Sequence, residues 1–197
     1  NVTAWEKGHI RLPRVGKVRP RWTGNKPAGR PKLVTISRDG DQYWISMNVE
    51  TEIPELPMAS SAVGIDLGIK SFAVLSSGEI IAPPKMLEAK LARLAREQRK
   101  VSKKQRGSNR RNKQRLVVAR LHRKISNMRR DWLQKLSTRL IIENQVICLE
   151  DLNVAGMLRN RTLAQKISDA SWSEFVRQLE YKAAWYGRTI VKIDRFY

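Results

Sequence analysis

A chain of 197 residues is long enough for one good core, or for one domain and part of another. Its 41% hydrophobic and 7% aromatic content excludes a disordered tail. Lys and Arg number 39 against 18 Asp and Glu, and the resulting charge of +21 points to a polyanion, most often nucleic acid, because each cation set against a phosphate releases condensed counterions.

Membrane surfaces also attract basic chains, but no apolar run approaches the ~18 residues of a span and no signal peptide opens the chain. The expectation is a soluble, cytoplasmic protein. The chain begins at Asn1 without a Met and stops at Tyr197, three residues after an apparent strand, which reads as a fragment of something longer. A lone cysteine, Cys148, sits in an apolar strand and reads as a core residue.

Residues 1–58 hold Gly8, Gly16, Gly24 and Gly29 among Pro13, Pro20, Pro27 and Pro31, a spacing that excludes a long helix and predicts short strands and turns. Lys32 to Glu50 reads as a hairpin, with Val34 and Ile36 alternating before Gly40 and Tyr43, Ile45, Met47 and Val49 after it. Arg11, Arg14, Lys17, Arg19, Arg21, Lys26, Arg30 and Lys32 interleave with Trp5, Trp22 and Trp44. That pattern is either a phosphate-contacting surface with stacking platforms or a solvated basic rim around a small tryptophan core. Pro54 and Pro57 mark a linker into a second domain, 59–197.

Ala62 to Leu75, AVGIDLGIKSFAVL, reads as strand, glycine bend and strand. Alternation puts Val63, Ile65 and Leu67 on one side and Gly64, Asp66 and Gly68 on the other, so the acid lies on a face cleared of bulk. Asp66 either caps the bend with backbone hydrogen bonds or holds a cation. Glu79 to Ala82 continues as a third strand of an antiparallel meander.

From Met86 the period becomes helical, with Leu87, Leu91, Leu94, Gln98 and Val101 at spacings of three and four. Gly107, Ser108 and Asn109 interrupt it, and a second helix carries Val117, Leu121, Ile125, Met128, Trp132, Leu136 and Leu140 to near Asn144. The two should pack as an antiparallel hairpin over 85–143. Lys85 to Arg139 contain 20 Lys and Arg but only Glu88, Glu97 and Asp131 as acids, an imbalance that an ordinary wet helix face avoids. The candidate nucleic-acid contacts are Arg96, Arg99, Lys100, Lys103, Lys104, Arg110, Arg111, Lys113 and Arg115 around the tip, expected without acid partners, with Arg19 and Arg21 upstream.

Gln145 to Glu150 is a buried strand ending in a carboxylate; Gly156 to Asp169 reads as loop, Ser171 to Gly187 as a helix with its glycine cap, and Arg188 to Ile193 as the last strand. Crossover through the helices makes the fourth strand parallel to the first and its neighbour. Glu150 can then approach Asp66, and two close carboxylates call for protonation or a divalent cation such as Mg or Mn.

GIDLGIKSFAVL, the basic hairpin, ICLEDLNVAGM and SWSEFVRQLEYKAAWYGRTIVKIDRFY together resemble the TnpB (OrfB) family of insertion sequences. The likeness is strong over 62–197 and looser over 1–58, where it implies part of a β-barrel-like wedge domain. It implies a bacterial or archaeal, nucleoid-associated, RNA-guided DNA endonuclease related to type V CRISPR effectors, with guide RNA and target DNA as partners and a RuvC nuclease domain of RNase H-like fold. On that resemblance Asp66 and Glu150 match the first two metal-binding catalytic acids. The family's third acid follows a zinc ribbon, and both would fall beyond Tyr197; Asp194 is a weak substitute for that acid, and the chain alone is expected to be inactive. Two other readings remain: a non-catalytic basic RNA- or DNA-binding module, and an actin-like or sugar-kinase-like ATP-binding core, which would need a second glycine-rich phosphate loop.

Overall fold

A computed structural model of the chain describes residues 3–6, 8–22, 31–68, 70–82, 84–152 and 171–194. The chain divides into two compact units, Asn1–Ile53 and Pro54–Tyr197. In the first, β1 (Thr3–Glu6), β2 (His9–Leu12) and β3 (Gly16–Val18) form an antiparallel sheet in that order, with Ile10 and Leu12 buried. β4 (Leu33–Asp39) and β5 (Gln42–Asn48) form a separate hairpin, in register from Leu33 opposite Asn48 to Asp39 opposite Gln42. Its two-residue turn is possible because Gly40 takes a φ of 61° with no Cβ to clash.

The second unit is built on a mixed five-stranded sheet in the order β10-β9-β6-β7-β8. β6 (Ala62–Leu67), β7 (Ala73–Leu75) and β8 (Ile80–Ile81) are an antiparallel meander. β9 (Val146–Glu150) runs parallel to β6 and β10 (Thr189–Ile193) parallel to β9, as chain crossovers through helices require. The helices among the described residues are α1 (Lys85–Ser102), α2 (Asn109–Glu143) and α3 (Trp172–Tyr186). The loop expected at Gly156 to Asp169 lies outside the described residues.

Alternation decides which face of the sheet makes the core. Val63, Ile65 and Leu67 of β6 and Ile147 and Leu149 of β9 are buried together with Leu133, Leu136, Leu140 and Ile141 of α2 and Trp172, Phe175 and Leu179 of α3. Phe72, in the β6–β7 connection, meets Trp132 and Phe175 edge-on, with centroids 4.6 and 5.1 Å away. Where α2 crosses α3 the contact is polar. Buried Lys182 donates to Ser137 Oγ at 2.7 Å, Thr138 Oγ1 at 2.8 Å and the Gln134 carbonyl at 2.9 Å, and Ser137 Oγ donates to the amide oxygen of buried Gln178 at 3.1 Å. Desolvation pushes the Lys182 ammonium down to about 8 from its usual 10.5.

The stretch expected as a linker at Pro54 and Pro57 is docked on the second unit. Leu56 packs against the sheet core. Arg188, 8% exposed, donates to the Pro57 and Ile141 carbonyls and the Gln145 amide oxygen at 2.8, 3.0 and 2.8 Å, joining that stretch to the end of α2 and the start of β9 and β10. A buried guanidinium needs those acceptors, so Arg188 holds the entry in place.

α1 and the first half of α2 form a hairpin with a small core of its own, Leu87, Leu94, Leu121 and Ile125, flanked by Leu91, Val117 and Val118. Ser108 caps α2 by accepting from Arg111 N–H at 3.2 Å. Among the described residues no helix is long and apolar enough to cross a membrane.

Candidate functional site

Asp66 lies next to the end of β6 and faces away from the core, exposed. Glu150 is the last residue of β9, half-buried. The parallel register pairs Ile65 with Leu149, which sets Asp66 and Glu150 one rung further along adjacent strands. Both line one open cleft of about 380 Å3, together with Gly64, Val74, Ser76, Cys148 and Ile193. Gly64 leaves that face low; a Cβ there would lie 3.5 Å from Ser76 Cβ, and its N–H donates to Ser76 Oγ at 3.0 Å. Cys148, expected in the core, is half-buried and faces this cleft, because alternation gives the core to Ile147 and Leu149.

Asp194 is exposed and follows β10 directly. Ile193 pairs with Glu150 and lines the cleft, whereas Lys192, one residue back, bonds to Glu180 of α3 at 2.7 Å on the helical side. Among the described residues no group of three or more His, Cys, Asp or Glu could hold a metal ion.

The basic residues around the hairpin tip divide by environment. Arg96, Arg99, Lys100, Lys103, Arg110, Lys113 and Arg115 are exposed, while Lys104 and Arg111 are half-buried. One expectation needs correcting: Lys100 is not without an acid partner, since its Nζ bonds to Glu97 Oε1 at 2.8 Å. The i,i+3 spacing brings them together on one turn. Glu97 is also met by Gln114 Nε2 at 2.6 Å, and Gln114 Oε1 accepts from Lys104 Nζ at 2.9 Å; Lys100 and Gln114 together hold the Glu97 carboxyl below the usual range. Thus the single acid at the tip is shared between both helices. In the first unit Arg19 and Arg21 are exposed, and Lys32 pairs with Glu50. The Trp5 side chain, Lys26 and Arg30 lie outside the described residues.

Two features escaped the sequence reading. Gln98, placed on the apolar face of α1, instead lies 3.2 Å from His122 Nε2 at the rim of a groove. A glutamine in an apolar register was the available signal. Arg188 opens the last strand, and nothing in the sequence marks it as buried.

The fold and the charge define a basic α/β protein: a mixed sheet with two acids on neighbouring strand ends and a long cationic helical hairpin. The comparisons are more particular. The OrfB_IS605 family model, described as probable transposase, matches residues 44–161, and the Cas12f1-like TNB domain matches 172–197. The chain belongs to the TnpB-like (OrfB) family. A Streptomyces pristinaespiralis protein provisionally named an RNA-guided DNA endonuclease is 46% identical over 98% of the chain and 49% of its own length. InsQ of Escherichia coli, with the same provisional name, is 34% identical over 98% of the chain and 52% of its own length. A TnpB-like protein of Acanthamoeba polyphaga mimivirus is 23% identical over 90% of the chain and 37% of its own length. The chain spans about half the length of the first two relatives.

Proposed function

We propose that this chain is the metal-binding and nucleic-acid-holding part of an RNA-guided DNA endonuclease, working in the cytoplasm at the nucleoid on guide RNA and target DNA. In this reading the mixed sheet is an RNase H-like, RuvC-type core, and Asp66 and Glu150 are its first two catalytic acids. The observation that carries it is their register: one rung apart from a paired position on adjacent parallel strands, opening on one cleft.

The donor set suits a hard divalent cation. Carboxylate oxygens favour Mg or Mn, and Mg commonly takes only one or two of them, completing its shell with water and substrate phosphate. When bound, such a cation would activate a water and neutralise charge on the scissile phosphate. The chain's own residues then do the rest. Asp66 and Glu150 fix the position of the hydrolytic centre, the low face at Gly64 leaves room for a phosphodiester, and the hairpin cations hold the strand by its backbone.

Two carboxylates fall short of a two-ion set, so the chain by itself should bind nucleic acid without cutting it. Calorimetric Mn titration tests the site. The 197-residue chain should bind Mn, and Asp66→Asn and Glu150→Gln should each abolish the heat while leaving the fold intact. Equal binding by either variant removes that acid from the site. In a companion assay on single-stranded DNA with Mg, cutting that is lost in Asp194→Asn would make Asp194 the third ligand and overturn the expected inactivity.

A further inference from the structure

Toward its tip the seam between α1 and α2 opens. Leu94, Leu121 and Ile125 close it lower down, but nearer the tip Val101, Leu116 and Ala119 line a groove of about 730 Å3. Its size falls in the range of small-ligand clefts. The rim carries groups of two kinds. Gln98, Asn112 and His122 can both donate and accept, and Arg111 and Arg115 bring positive charge.

Arg111 is the informative one. Its Nε is buried with no hydrogen-bond partner among the described residues, although its backbone N–H is satisfied by Ser108. A buried donor left unpaired is costly, and an incoming acceptor would remove that cost. The first turn of α2 also contains no acid, so an anion beside Arg111 meets the positive end of the helix without competition.

A simple anion would use the two guanidinium groups and ignore the apolar floor. A flat, edge-polar group joined to a phosphate uses both. We propose that this groove takes one unstacked base of single-stranded RNA, its face on Val101, Leu116 and Ala119, its edge on Gln98 and Asn112, and its phosphate on Arg111 and Arg115. RNA fits better than a duplex because only an unpaired nucleotide offers its base face and edge together, and side chains that donate and accept can also engage a 2′-hydroxyl. The inference rests on the reading of the hairpin as a nucleic-acid surface and names what that surface recognises beyond charge.

Ala119→Phe fills the floor without altering charge. Binding by the 197-residue chain is measured to a fluorescein-labelled, unstructured RNA of about 12 nucleotides, to an RNA duplex of equal length and to the matching DNA strand, each across a salt series. Ala119→Phe should weaken single-stranded RNA by about tenfold with an unchanged slope of log affinity against log salt, and leave the duplex unaffected. Gln98→Ala with Asn112→Ala, which removes edge contacts at the surface, should act in the same direction and carries the test if Ala119→Phe loses helicity by circular dichroism. Equal affinity, or equal loss on the duplex, overturns the groove; equal loss on the DNA strand overturns the choice of RNA. Exchanging Lys103, Lys104, Arg110 and Arg111 for Gln separates the two levels. If that flattens the salt slope while Ala119→Phe is silent, the groove falls and the hairpin reading stands; if the slope does not move, both fall.

Discussion

The two halves of α2 obey different rules. From Leu133 to Ile141 the helix buries Leu133, Leu136, Ser137, Leu140 and Ile141 against the sheet and α3, whereas from Asn109 to Ile125 only Leu121 and Ile125 are buried. Charge runs the other way, with Arg110, Arg111, Lys113 and Arg115 crowding the first turns. One half is therefore held by what it removes from water, and the other keeps most of its charge exposed on a small core of its own. A continuous helix carries both because each half has its own partner.

Cavity formation should separate the halves most clearly. Leu140→Ala, at a fully buried position, should cost about 3–5 kcal/mol in denaturant unfolding, while Ile125→Ala should cost about 2 kcal/mol or less and register mainly as faster amide exchange in the hairpin. Equal global costs would mean that the two halves unfold as one unit. Next in size is Arg188→Ala, which takes the guanidinium donors from the Pro57 and Ile141 carbonyls, while the Gln145 amide oxygen keeps the Ala59 N–H at 3.2 Å, and should cost about 2–4 kcal/mol. A loss under about 0.5 kcal/mol would show that water replaces the guanidinium and that the entry stretch is not held by it.

Lys182 sharpens the comparison through pH. Its folded value is pushed down to about 8 while the unfolded lysine keeps 10.5, so between those values the unfolded chain binds more protons and stability rises with pH. Below about pH 8 both states are protonated and this dependence vanishes. Lys182→Met should lose the rise, measured as the difference in unfolding free energy between the two proteins from about pH 7.5 to 10.5. Parallel curves would place the ammonium in water.

The smallest stability effects belong to the charged half and to the cleft. Gln at Lys103, Lys104, Arg110 and Arg111 should change stability by a few tenths of a kcal/mol, in the stabilising direction, while flattening the salt slope by about 0.7–0.9 for each phosphate no longer neutralised. Asp66→Asn, at an exposed position, should stay within about 0.5 kcal/mol of the parent without metal. A larger loss would make Asp66 a structural hydrogen-bond hub.

These contrasts were legible in the sequence only where chemistry and period agree. Alternation in AVGIDL separates Val63, Ile65 and Leu67 from Asp66, and crossover rules set β9 beside β6, so the approach of the two acids followed from pattern alone. The α2 core was read less well. A stripe stepping mostly by four from Val117 to Leu140 drifts around a helix of 3.6 residues per turn, so Leu136 and Leu140 stay in the core but Leu133, Ser137 and Ile141 join them once the partner changes from α1 to the sheet. Lys182 and Arg188 were invisible because burial of a cation depends on acceptors that are distant in sequence, such as Gln134, Ser137, Ile141 and Pro57.

The length of α2 gives the cleft a mechanical neighbour. Its 35 residues contain neither Gly nor Pro and span roughly 52 Å at 1.5 Å per residue, a stiff rod clamped at one end and loaded at the other. Near the clamp Arg139 grips Glu79 through two bonds of 2.8 and 3.1 Å, in the turn between β7 and β8. A sideways pull of about 5 Å at the tip is a rotation of roughly 6° for a lever of that length. Load applied at the tip would meet the sheet first through the apolar contacts of Leu133, Leu136, Leu140 and Ile141, and the Glu79–Arg139 pair adds a polar link from α2 to the turn beside β7, the strand that pairs Val74 with Asp66.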